Sequence, residues 1–335
     1  MAKKVHGEES PSIREEVLRL LKKEKGRFVS GEEISAAMDI SRTAVWKHIQ
    51  ALREEGYDII SLPRQGHRLL AVPDRLYPRE IKEGLATAVI GRHYHYYPVV
   101  DSTNTVVRKL AAEGEEEGTV VAAEEQTGGR GRLGRSWFSP PGSGLWFSLL
   151  LRPALLPREV PRLTLVAGLA TAKGIAKATG LEVRLKWPND LYLNGRKLGG
   201  ILTEMEAELD RVHFVVVGIG LNVNVGEEEW PPSLRGTAIS LREACGREIP
   251  RVPLLQAILR ELDDCYRRFL AGEFPALLQE WRQRAYLGCP VFITLGGEKR
   301  RVEAVDVDEE GLLLIRKEDG EISRVVAGDV ELIQE

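Results

Sequence analysis

Three arginines alternate with glycines in a short segment of this sequence, GGRGRLGR at residues 128–135. Glycine lets a backbone approach a ligand closely and offer its N–H groups, and the planar guanidinium group of arginine suits phosphate oxygens. The segment lacks the GxxxxGK[ST] pattern of a P-loop, and the apolar runs beside it predict strands rather than a disordered RNA-binding tail. A mobile surface loop is the alternative, but packing does not explain Arg130, Arg132 and Arg135. The segment therefore predicts a loop that binds a polyanion such as triphosphate or pyrophosphate.

Asp190 and Lys197 form a second candidate group, because a predicted hairpin brings them together. Residues 183–205 predict a strand, a Trp-Pro bend and two further strands joined at Asn194-Gly195, the dipeptide that most strongly favours a two-residue turn. Taken alone, Lys197 is an ordinary lysine at a strand edge. With Asp190 across the turn, it becomes a candidate cation–carboxylate pair in a cleft. Gly200 follows, where the absent side chain leaves space for a ligand.

Ser102, Thr103 and Asn104 stand at the start of a predicted helix, directly after a predicted strand at residues 94–101. Free amides and hydroxyls at a helix start can hold an acyl or ureido oxygen. A plain helix cap by Ser102 or Thr103 is the simpler interpretation of these residues alone.

The apolar run HFVVVGIGLNVNV, residues 213–225, predicts a buried strand. Its G-x-G lacks the third glycine and the following helix of a dinucleotide-binding site, which excludes that class of site. Asn222 is the better candidate here, ahead of Asn224, to contact a purine edge. A long apolar helix over residues 160–180 is predicted to fill the core behind these groups.

The first 72 residues predict three helices and a hairpin, the pattern of a winged helix-turn-helix. The outward face of the third helix combines cations, a hydroxyl, an amide and an aromatic ring, which can contact phosphates and base edges. A helical interaction module without a DNA role is the alternative. The candidate DNA-contacting residues of the helix and hairpin are Arg42, Thr43, Trp46, Lys47, Gln50, Arg64 and Arg68.

Charge and composition limit the class of protein. The net charge of −3 excludes a surface that attracts nucleic acid everywhere, and residues 1–72 carry 13 Lys and Arg against 11 Asp and Glu, a net of +2. DNA binding by one copy should therefore be modest and need a dimer. The chain has no apolar run of about eighteen residues and no apolar segment after its basic start, so we expect a cytoplasmic protein. Three scattered cysteines indicate reduced thiols and no zinc site: Cys245, Cys265 and Cys289.

Taken in order along the chain, the motifs resemble those of the biotin protein ligases. With the winged-helix unit in front, the chain resembles the bifunctional members that also repress the biotin operon. The resemblance extends from about residue 13 to the end. Its most specific parts are the arginine loop, which is the segment GGRGRLGR at 128–135, and the KWPND motif at 186–190. The motifs are Ser102-Thr103-Asn104, Gln126, GGRGRLGR at 128–135, KWPNDLYLNGRKLGGIL at 186–202 and GIGLNVN at 218–224.

The resemblance implies two half-reactions. The biotin carboxylate attacks the α-phosphate of MgATP, which gives biotinyl-5′-AMP and pyrophosphate, and a lysine of a biotin carboxyl carrier protein then attacks the mixed anhydride. ATP with Mg²⁺ and biotin are therefore substrates, and no tightly bound metal is implied. The implied partners are the carrier protein, operator DNA and a second copy of the chain. The adenylate would act as corepressor, and its binding would promote association with the second copy. No membrane partner is implied.

Carried over onto matching positions, the resemblance assigns roles to single residues. Lys197 would contact the biotin carboxylate and the α-phosphoryl group, with Arg132 beside it. Asp190 would orient Lys197 or assist deprotonation of the incoming lysine. The implied biotin-binding residues are Ser102, Thr103, Asn104, Gln126, Arg130, Gly131, Arg132, Lys197 and Gly200. The implied ATP- and adenylate-binding residues are Arg130, Arg132, Arg135, Trp137, Lys197 and Asn222.

The expected fold class is α+β and multidomain. It comprises a winged helix-turn-helix domain at 1–72, a linker at 73–80, a central α/β catalytic domain of the biotin/lipoate-ligase kind with a mixed sheet at 81–285, and a small SH3-like β-barrel at 286–335. The last domain is predicted from β patterning with turns at Gly296-Gly297, Glu310-Gly311 and Asp319-Gly320.

The sequence departs from some relatives at one position, and three alternative functions remain open. Some repressor-type relatives stack a tryptophan on the adenine, but the predicted strand at 236–241 has no aromatic residue, and Trp230 is not in register with that position. The alternatives are a lipoate or octanoate ligase, a ligase with a vestigial DNA-binding head, and a transcription factor that only senses its ligand. The arginine loop argues against the first, and the complete adenylation set argues against the third.

Overall fold

The computed structural model describes residues 12–24, 26–295, 298–326 and 328–333. The chain divides into two compact units, which join between Arg75 and Leu76. This junction lies within the predicted linker at 73–80, where Leu76 is already fully buried and Pro78 begins a short helix. In the described residues, no helix has both the length and the apolar character needed to cross a bilayer.

The first unit has the predicted order of three helices and a hairpin. Ser30 and Ser41 begin the second and third helices, because each hydroxyl accepts a hydrogen bond from the backbone N–H three residues later. Val45, Ile49 and Leu52 are buried on one face of the third helix, as their spacing predicts. The elements are α1 (Ile13–Lys23), α2 (Gly31–Met38), α3 (Arg42–Glu54) and the antiparallel strands β1 (Asp58–Leu62) and β2 (Gly66–Ala71).

The second unit is built on a seven-stranded mixed sheet in the order β3-β4-β5-β9-β8-β7-β6. The β3–β4 pair is parallel, whereas the other neighbours are antiparallel. The tight turn at Asn194-Gly195 has positive φ at both residues, as the dipeptide predicts. The strands are β3 (Tyr94–Val100), β4 (Val120–Gln126), β5 (Gly144–Leu151), β6 (Arg184–Lys186), β7 (Asp190–Leu193), β8 (Arg196–Ala207) and β9 (Val212–Asn222).

Helices pack on both faces of this sheet. The helices are α4 (Pro78–Lys82), α5 (Thr103–Ala112), α6 (Val160–Thr179), α7 (Leu241–Cys245), α8 (Arg251–Leu270) and α9 (Phe274–Arg284). On one face, Val107 of α5 packs with Val121 and Leu150. The long apolar helix α6 fills the core on the other face, and α8 packs against it at Gly174, where an added Cβ would lie 2.6 Å from the Ile258 Cα.

The C-terminal residues form a five-stranded antiparallel sheet in the order β13-β12-β11-β10-β14, the small β domain that the sequence predicts. The strands are β10 (Cys289–Leu295), β11 (Glu298–Val307), β12 (Leu313–Arg316), β13 (Ile322–Val325) and β14 (Asp329–Leu332). The indole Nε1 of Trp187 donates to the Gly311 carbonyl at 3.0 Å, which fastens this sheet to the catalytic-domain sheet. The predicted turn at Gly296-Gly297 lies outside the described residues.

Candidate active site

Every residue that the sequence predicts for biotin or adenylate lines one cavity of about 290 Å³ beside the mixed sheet. The walls come from the start of α5, the arginine loop, the β7–β8 hairpin and β9. These residues are Ser102, Thr103, Asn104, Gln126, Arg130, Gly131, Arg132, Arg135, Trp137, Asp190, Lys197, Gly200 and Asn222. Their contacts with ligands remain predictions, but the fold brings them together.

Lys197 and Asp190 form the predicted ion pair, with Lys197 Nζ 2.7 Å from Asp190 Oδ1. The other carboxylate oxygen, Oδ2, lies 2.9 Å from Nζ of Lys186, a residue of the KWPND motif to which the sequence analysis gave no role. Burial alone would raise the pKa of Asp190, but the charges of Lys197 and Lys186 outweigh it and hold the pKa below its ordinary value. Asp190 is therefore an ionised bridge between two lysines.

The three guanidinium groups of the arginine loop have different partners. Arg135 is exposed and paired with Asp329 at 2.5 Å, which raises the pKa of Arg135. Arg132 is partly buried and donates over 3.4 Å to Asn189 Oδ1 and to the Gly328 carbonyl, and burial lowers its pKa. Arg130 donates to the Thr105 hydroxyl at 3.0 Å. The loop thus meets the C-terminal sheet at residues 328 and 329.

Uncharged polar side chains line another part of the cavity: Ser102, Thr103, Asn104 and Gln126. Gln126 Oε1 accepts from the backbone N–H of Thr103 at 2.9 Å and from its hydroxyl at 3.1 Å. The Ser148 hydroxyl lies 2.6 Å from both Thr103 Oγ1 and Asn104 Oδ1, and Asn104 Nδ2 donates to Glu204 at 2.7 Å. This part of the cavity is fixed by side chains that sequence reasoning missed, because Ser148 and Glu204 come from β5 and β8.

The prediction that Ser102 or Thr103 caps α5 through its hydroxyl group is wrong for Ser102. Ser102 occupies the capping position of α5, but its hydroxyl makes no capping hydrogen bond within the described part of the chain. The Asp101 carboxylate instead accepts from the Ser102 backbone N–H at 2.7 Å. Ser102 is buried and is one of the residues that line the cavity.

Glycines on β8 and β9 form the floor of the cavity. A Cβ at Gly218 would lie 2.1 Å from Asn104 Oδ1, and a Cβ at Gly220 would lie 2.5 Å from the Trp137 indole nitrogen. Trp137 therefore lies directly over the strand pair, with Lys197 Nζ 5.5 Å from its ring centre. A larger residue at Gly218 would collide with the Asn104 side chain, and a larger residue at Gly220 would collide with the Trp137 ring.

Trp230 lines the cavity, although the sequence analysis gave it no place there. It is buried, its ring centre lies 6.1 Å from that of Phe138, and its indole N–H has no hydrogen-bond partner among the described residues. The predicted strand at 236–241 is also wrong, since Ala238 makes one isolated bridge to Lys197 and Leu241 begins α7. The irregular chain between β9 and α7 gave no periodic signal that could have placed Trp230.

Asn222 and Asn224 have different surroundings. Asn222 lines the cavity and donates to the Ile239 carbonyl at 3.2 Å. The side chain of Asn224 is fully used by the backbone of Ile249, to which it donates and from which it accepts at 2.9 Å. Among the described residues, no group of three or more His, Cys, Asp or Glu side chains could hold a metal ion.

The predicted DNA-contacting residues lie on the surface of the first unit. Arg42, Thr43, Trp46 and Lys47 are exposed on α3, and the Trp46 side chain is 56% exposed. Two of the arginines already have partners: Arg42 pairs with Glu32 at 2.6 Å, and Arg68 lies over the Phe28 ring at 4.7 Å. Gln50 is half-buried beside the exposed face, and Arg64 is exposed at the hairpin turn.

Comparison with known protein families agrees with this architecture. The model of the biotin/lipoate A/B protein ligase family matches residues 96–222, which contain the cavity wall from β3 to β9. A helix-turn-helix domain model matches residues 14–68, and the model of the biotin protein ligase C-terminal domain matches residues 286–333. The fold and the cavity thus define a protein ligase of the biotin and lipoate class with an added helix-turn-helix domain.

The chain belongs to the biotin protein ligase family. It is 41% identical to the bifunctional ligase/repressor BirA of Bacillus subtilis over 324 residues, which covers 96% of this chain and 99% of that protein. It is 34% identical to the protein of the same name from Escherichia coli, covering 92% and 94% of the two chains. The solved structure of the Aquifex aeolicus biotin protein ligase in complex with biotin and ATP matches with a TM-score of 0.62 and 32% identity, covering 73% of this chain and 100% of that one.

Proposed function

We propose that this protein activates biotin with MgATP as biotinyl-5′-AMP and transfers it to a lysine of a biotin carboxyl carrier protein. We further propose that it represses biotin genes, with the adenylate as corepressor. The ligase proposal is carried by one observation: Lys197 lies in a cavity lined by uncharged polar side chains in one part and by arginines in another. Such a cavity suits a substrate that has an uncharged head group and a carboxylate to be activated by ATP.

The spacing along β9 fits this substrate. Gly218 lies under Asn104 and Gly220 under Trp137, and Asn222 ends the strand. Four residues of extended chain span about 13 Å, which matches a ureido ring at one end and an acyl phosphate toward the other. The polar side chains around Gln126 can hydrogen-bond a ureido group. A dithiolane or an alkyl chain would leave those groups unpaired, which favours biotin over lipoate or octanoate.

In the first half-reaction, a biotin carboxylate oxygen attacks the α-phosphorus, and pyrophosphate leaves with the electrons of the broken phosphoanhydride bond. Lys197 and Arg132 are placed to offset the negative charge on the α-phosphoryl oxygens in the transition state. Magnesium enters with ATP as the counter-ion of its phosphates. Asp190 holds Lys197, but both of its oxygens are paired, so it is a weak base.

In the second half-reaction, the neutral amine of the acceptor lysine attacks the acyl carbon of the anhydride, and AMP leaves. A weak base at Asp190 contributes little to removing the proton from that amine. The arrangement therefore supports the orienting role for Asp190 rather than the alternative of general-base catalysis in transfer.

The direct test of the ligase proposal is biotin transfer. The protein is incubated with biotin, MgATP and an apo carrier domain, and the mass of the carrier is measured. We expect one biotin per carrier at its acceptor lysine, and no addition to a carrier with that lysine changed to arginine. Equal labelling of both carriers, or no labelling, would contradict the proposal.

The repressor proposal rests on the exposed face of α3 and predicts dimeric binding to a two-fold operator, because one head carries a net charge of only +2. The test is footprinting on DNA upstream of the protein's own gene and of biotin genes. We expect protection with biotin and MgATP that Lys47→Ala weakens, whereas Arg19→Ala, the same charge change on α1, leaves it largely unchanged. Absence of protection at high protein concentration would leave a ligase with a vestigial head.

A further inference from the structure

The ammonium group of Lys186 is buried at the side of the active-site cavity, with the residue only 6% exposed. It has three neighbours: Asp190 Oδ2 at 2.9 Å, the Val330 carbonyl at 2.6 Å and the Tyr192 ring at 5.0 Å from its centre. A lysine is rarely buried to this degree unless it is paired. Lys186 does not line the cavity, so its contacts serve other protein groups rather than the substrate.

Asp190 connects Lys186 with Lys197 in the cavity, because its carboxylate contacts both ammonium groups. Its two oxygens are divided between the two lysines, with Oδ2 toward Lys186 and Oδ1 toward Lys197. Asp190 itself is only 7% exposed, whereas the Lys197 side chain is 36% exposed. The three residues lie on β6, β7 and β8, and the β7–β8 register is irregular between Leu191 and Tyr192, just beside Lys197. The backbone of Lys197 is held by Thr237 and Ile239, and its Nζ is held by the Asp190 carboxylate.

The third contact of Lys186 comes from the C-terminal domain. Val330 is on β14 and pairs with Ile293 of β10, so its carbonyl belongs to a paired strand of that sheet. The neighbouring residues 328 and 329 contact Arg132 and Arg135. The start of β14 is consequently connected to the arginine loop directly and to Lys197 through Lys186 and Asp190.

We propose that Lys186 is a positioning residue for adenylation, which fixes Asp190 and through it Lys197, with the Val330 carbonyl as its anchor in the C-terminal domain. This inference rests on the proposed ligase function. It adds that the C-terminal sheet helps to set the geometry of the catalytic lysine in addition to any contact it makes with substrates.

The kinetic test compares Lys186→Met, which keeps the length of the side chain but removes its charge, with Lys186→Arg. We expect Lys186→Met to lower the rate constant of biotin adenylation about 10- to 100-fold, because small displacements of a catalytic group have effects of this size. The dissociation constant for biotin alone should change less than about threefold, because the uncharged polar side chains of the cavity are untouched. Lys186→Arg should recover part of the lost rate.

A matched control removes a different paired lysine. Lys173 of α6 lies 3.1 Å from Glu280 and 3.6 Å from Glu261, away from the cavity, so Lys173→Met tests the cost of losing a partly buried lysine. We expect it to lower the midpoint of thermal unfolding and leave the adenylation rate near that of the wild type. Equal rates for Lys186→Met and the wild type would overturn the positioning role.

The pH profile gives a second readout that a purely structural role would not change. With Lys186 removed, Asp190 keeps one of its two close cations, so its pKa rises and the acidic limb of the adenylation rate moves to higher pH. The charged and titratable groups around Asp190 are Lys186, Lys197, Tyr192, Arg132, Arg135 and Asp329. An unchanged acidic limb in Lys186→Met would contradict the proposal.

A crystal structure of Lys186→Met separates this inference from the proposed function. We expect the Asp190 carboxylate to shift and Lys197 Nζ to move with it from its wild-type position, whether or not the protein adenylates biotin. An unmoved Lys197 would overturn the inference even if the wild type is an active ligase. An inactive wild type with a displaced Lys197 would count against the proposed function alone.

Discussion

At the residue scale, the cations of the cavity differ in how fully they are neutralised. Lys197 is paired with Asp190 and Arg135 with Asp329. Arg132 contacts neutral carbonyl oxygens and has no ion-pair partner among the described residues, although it is partly buried. A partly buried cation without a carboxylate attracts an anion more strongly than a paired one. Arg132 is therefore the strongest candidate of the loop for the phosphates of ATP.

The floor glycines lead to a prediction for biotin binding. In Gly218→Ala the new methyl group would lie 2.1 Å from Asn104 Oδ1, so the network of Asn104, Ser148 and Thr103 must shift. Overpacking of this kind costs about 1–3 kcal/mol, which weakens biotin binding roughly five- to 150-fold when the cost falls on the site. Isothermal titration calorimetry with biotin measures the change.

The control for this prediction is Gly168→Ala in α6. An added Cβ there meets its nearest neighbour, the Ile201 side chain, at an ordinary 3.5 Å. Biotin affinity should stay within about twofold of the wild type. If Gly218→Ala also keeps its affinity, Asn104 is not part of the biotin site.

At the element scale, one carboxylate of α8 binds the backbone of residues 88–90, the segment before β3. Asp263 accepts hydrogen bonds from the backbone N–H groups of Ala88, Val89 and Ile90 at 2.7–3.1 Å. Burial alone would raise the pKa of Asp263, but these donors, together with Arg267, hold it below its ordinary value. We expect Asp263→Ala to lower the free energy of unfolding by about 3 kcal/mol at pH 7, because it leaves buried donors unpaired.

The sign of the pH dependence follows from that lowered pKa. The stabilisation is present above the carboxyl pKa of the unfolded chain, about 3.9, and is lost as the pH falls through the folded value. Urea unfolding should show a gap between wild type and Asp263→Ala that shrinks between pH 5 and pH 3. Substitution of the neighbouring, half-exposed Asp264 by alanine should change stability little at either pH. A constant gap would mean that Asp263 acts through packing rather than through its charge.

The sequence predicted the elements whose signals are local. The Asn194-Gly195 turn, the serine-capped helices of the first unit and the glycine-rich loop each depend on a few adjacent residues. Lys186, Trp230 and Asp329 were missed, because their roles depend on chain segments that meet only in the folded protein. The contact of Lys186 with Val330 joins residues 144 positions apart, and no periodic pattern could predict it.

At the scale of the whole molecule, the account predicts that adenylate formation changes the association state. The order of the mixed sheet leaves β3 at one edge, where Val99 is 47% exposed, and Leu133 of the arginine loop is 77% exposed. An ordered loop and an open edge provide surface for a second copy. Sedimentation velocity should show a larger dimer fraction with biotin and MgATP than with either alone. The same monomer fraction in all three samples would contradict the prediction.

Adenylation of biotin in this cavity can be measured as biotin-dependent exchange of pyrophosphate into ATP. We expect exchange with biotin but not with lipoate or octanoate. Lys197→Ala should lower the rate about 100- to 1,000-fold, because it removes a preorganised cation from the transition state. Exchange with lipoate or octanoate in place of biotin, or biotin binding without any exchange, would contradict the account.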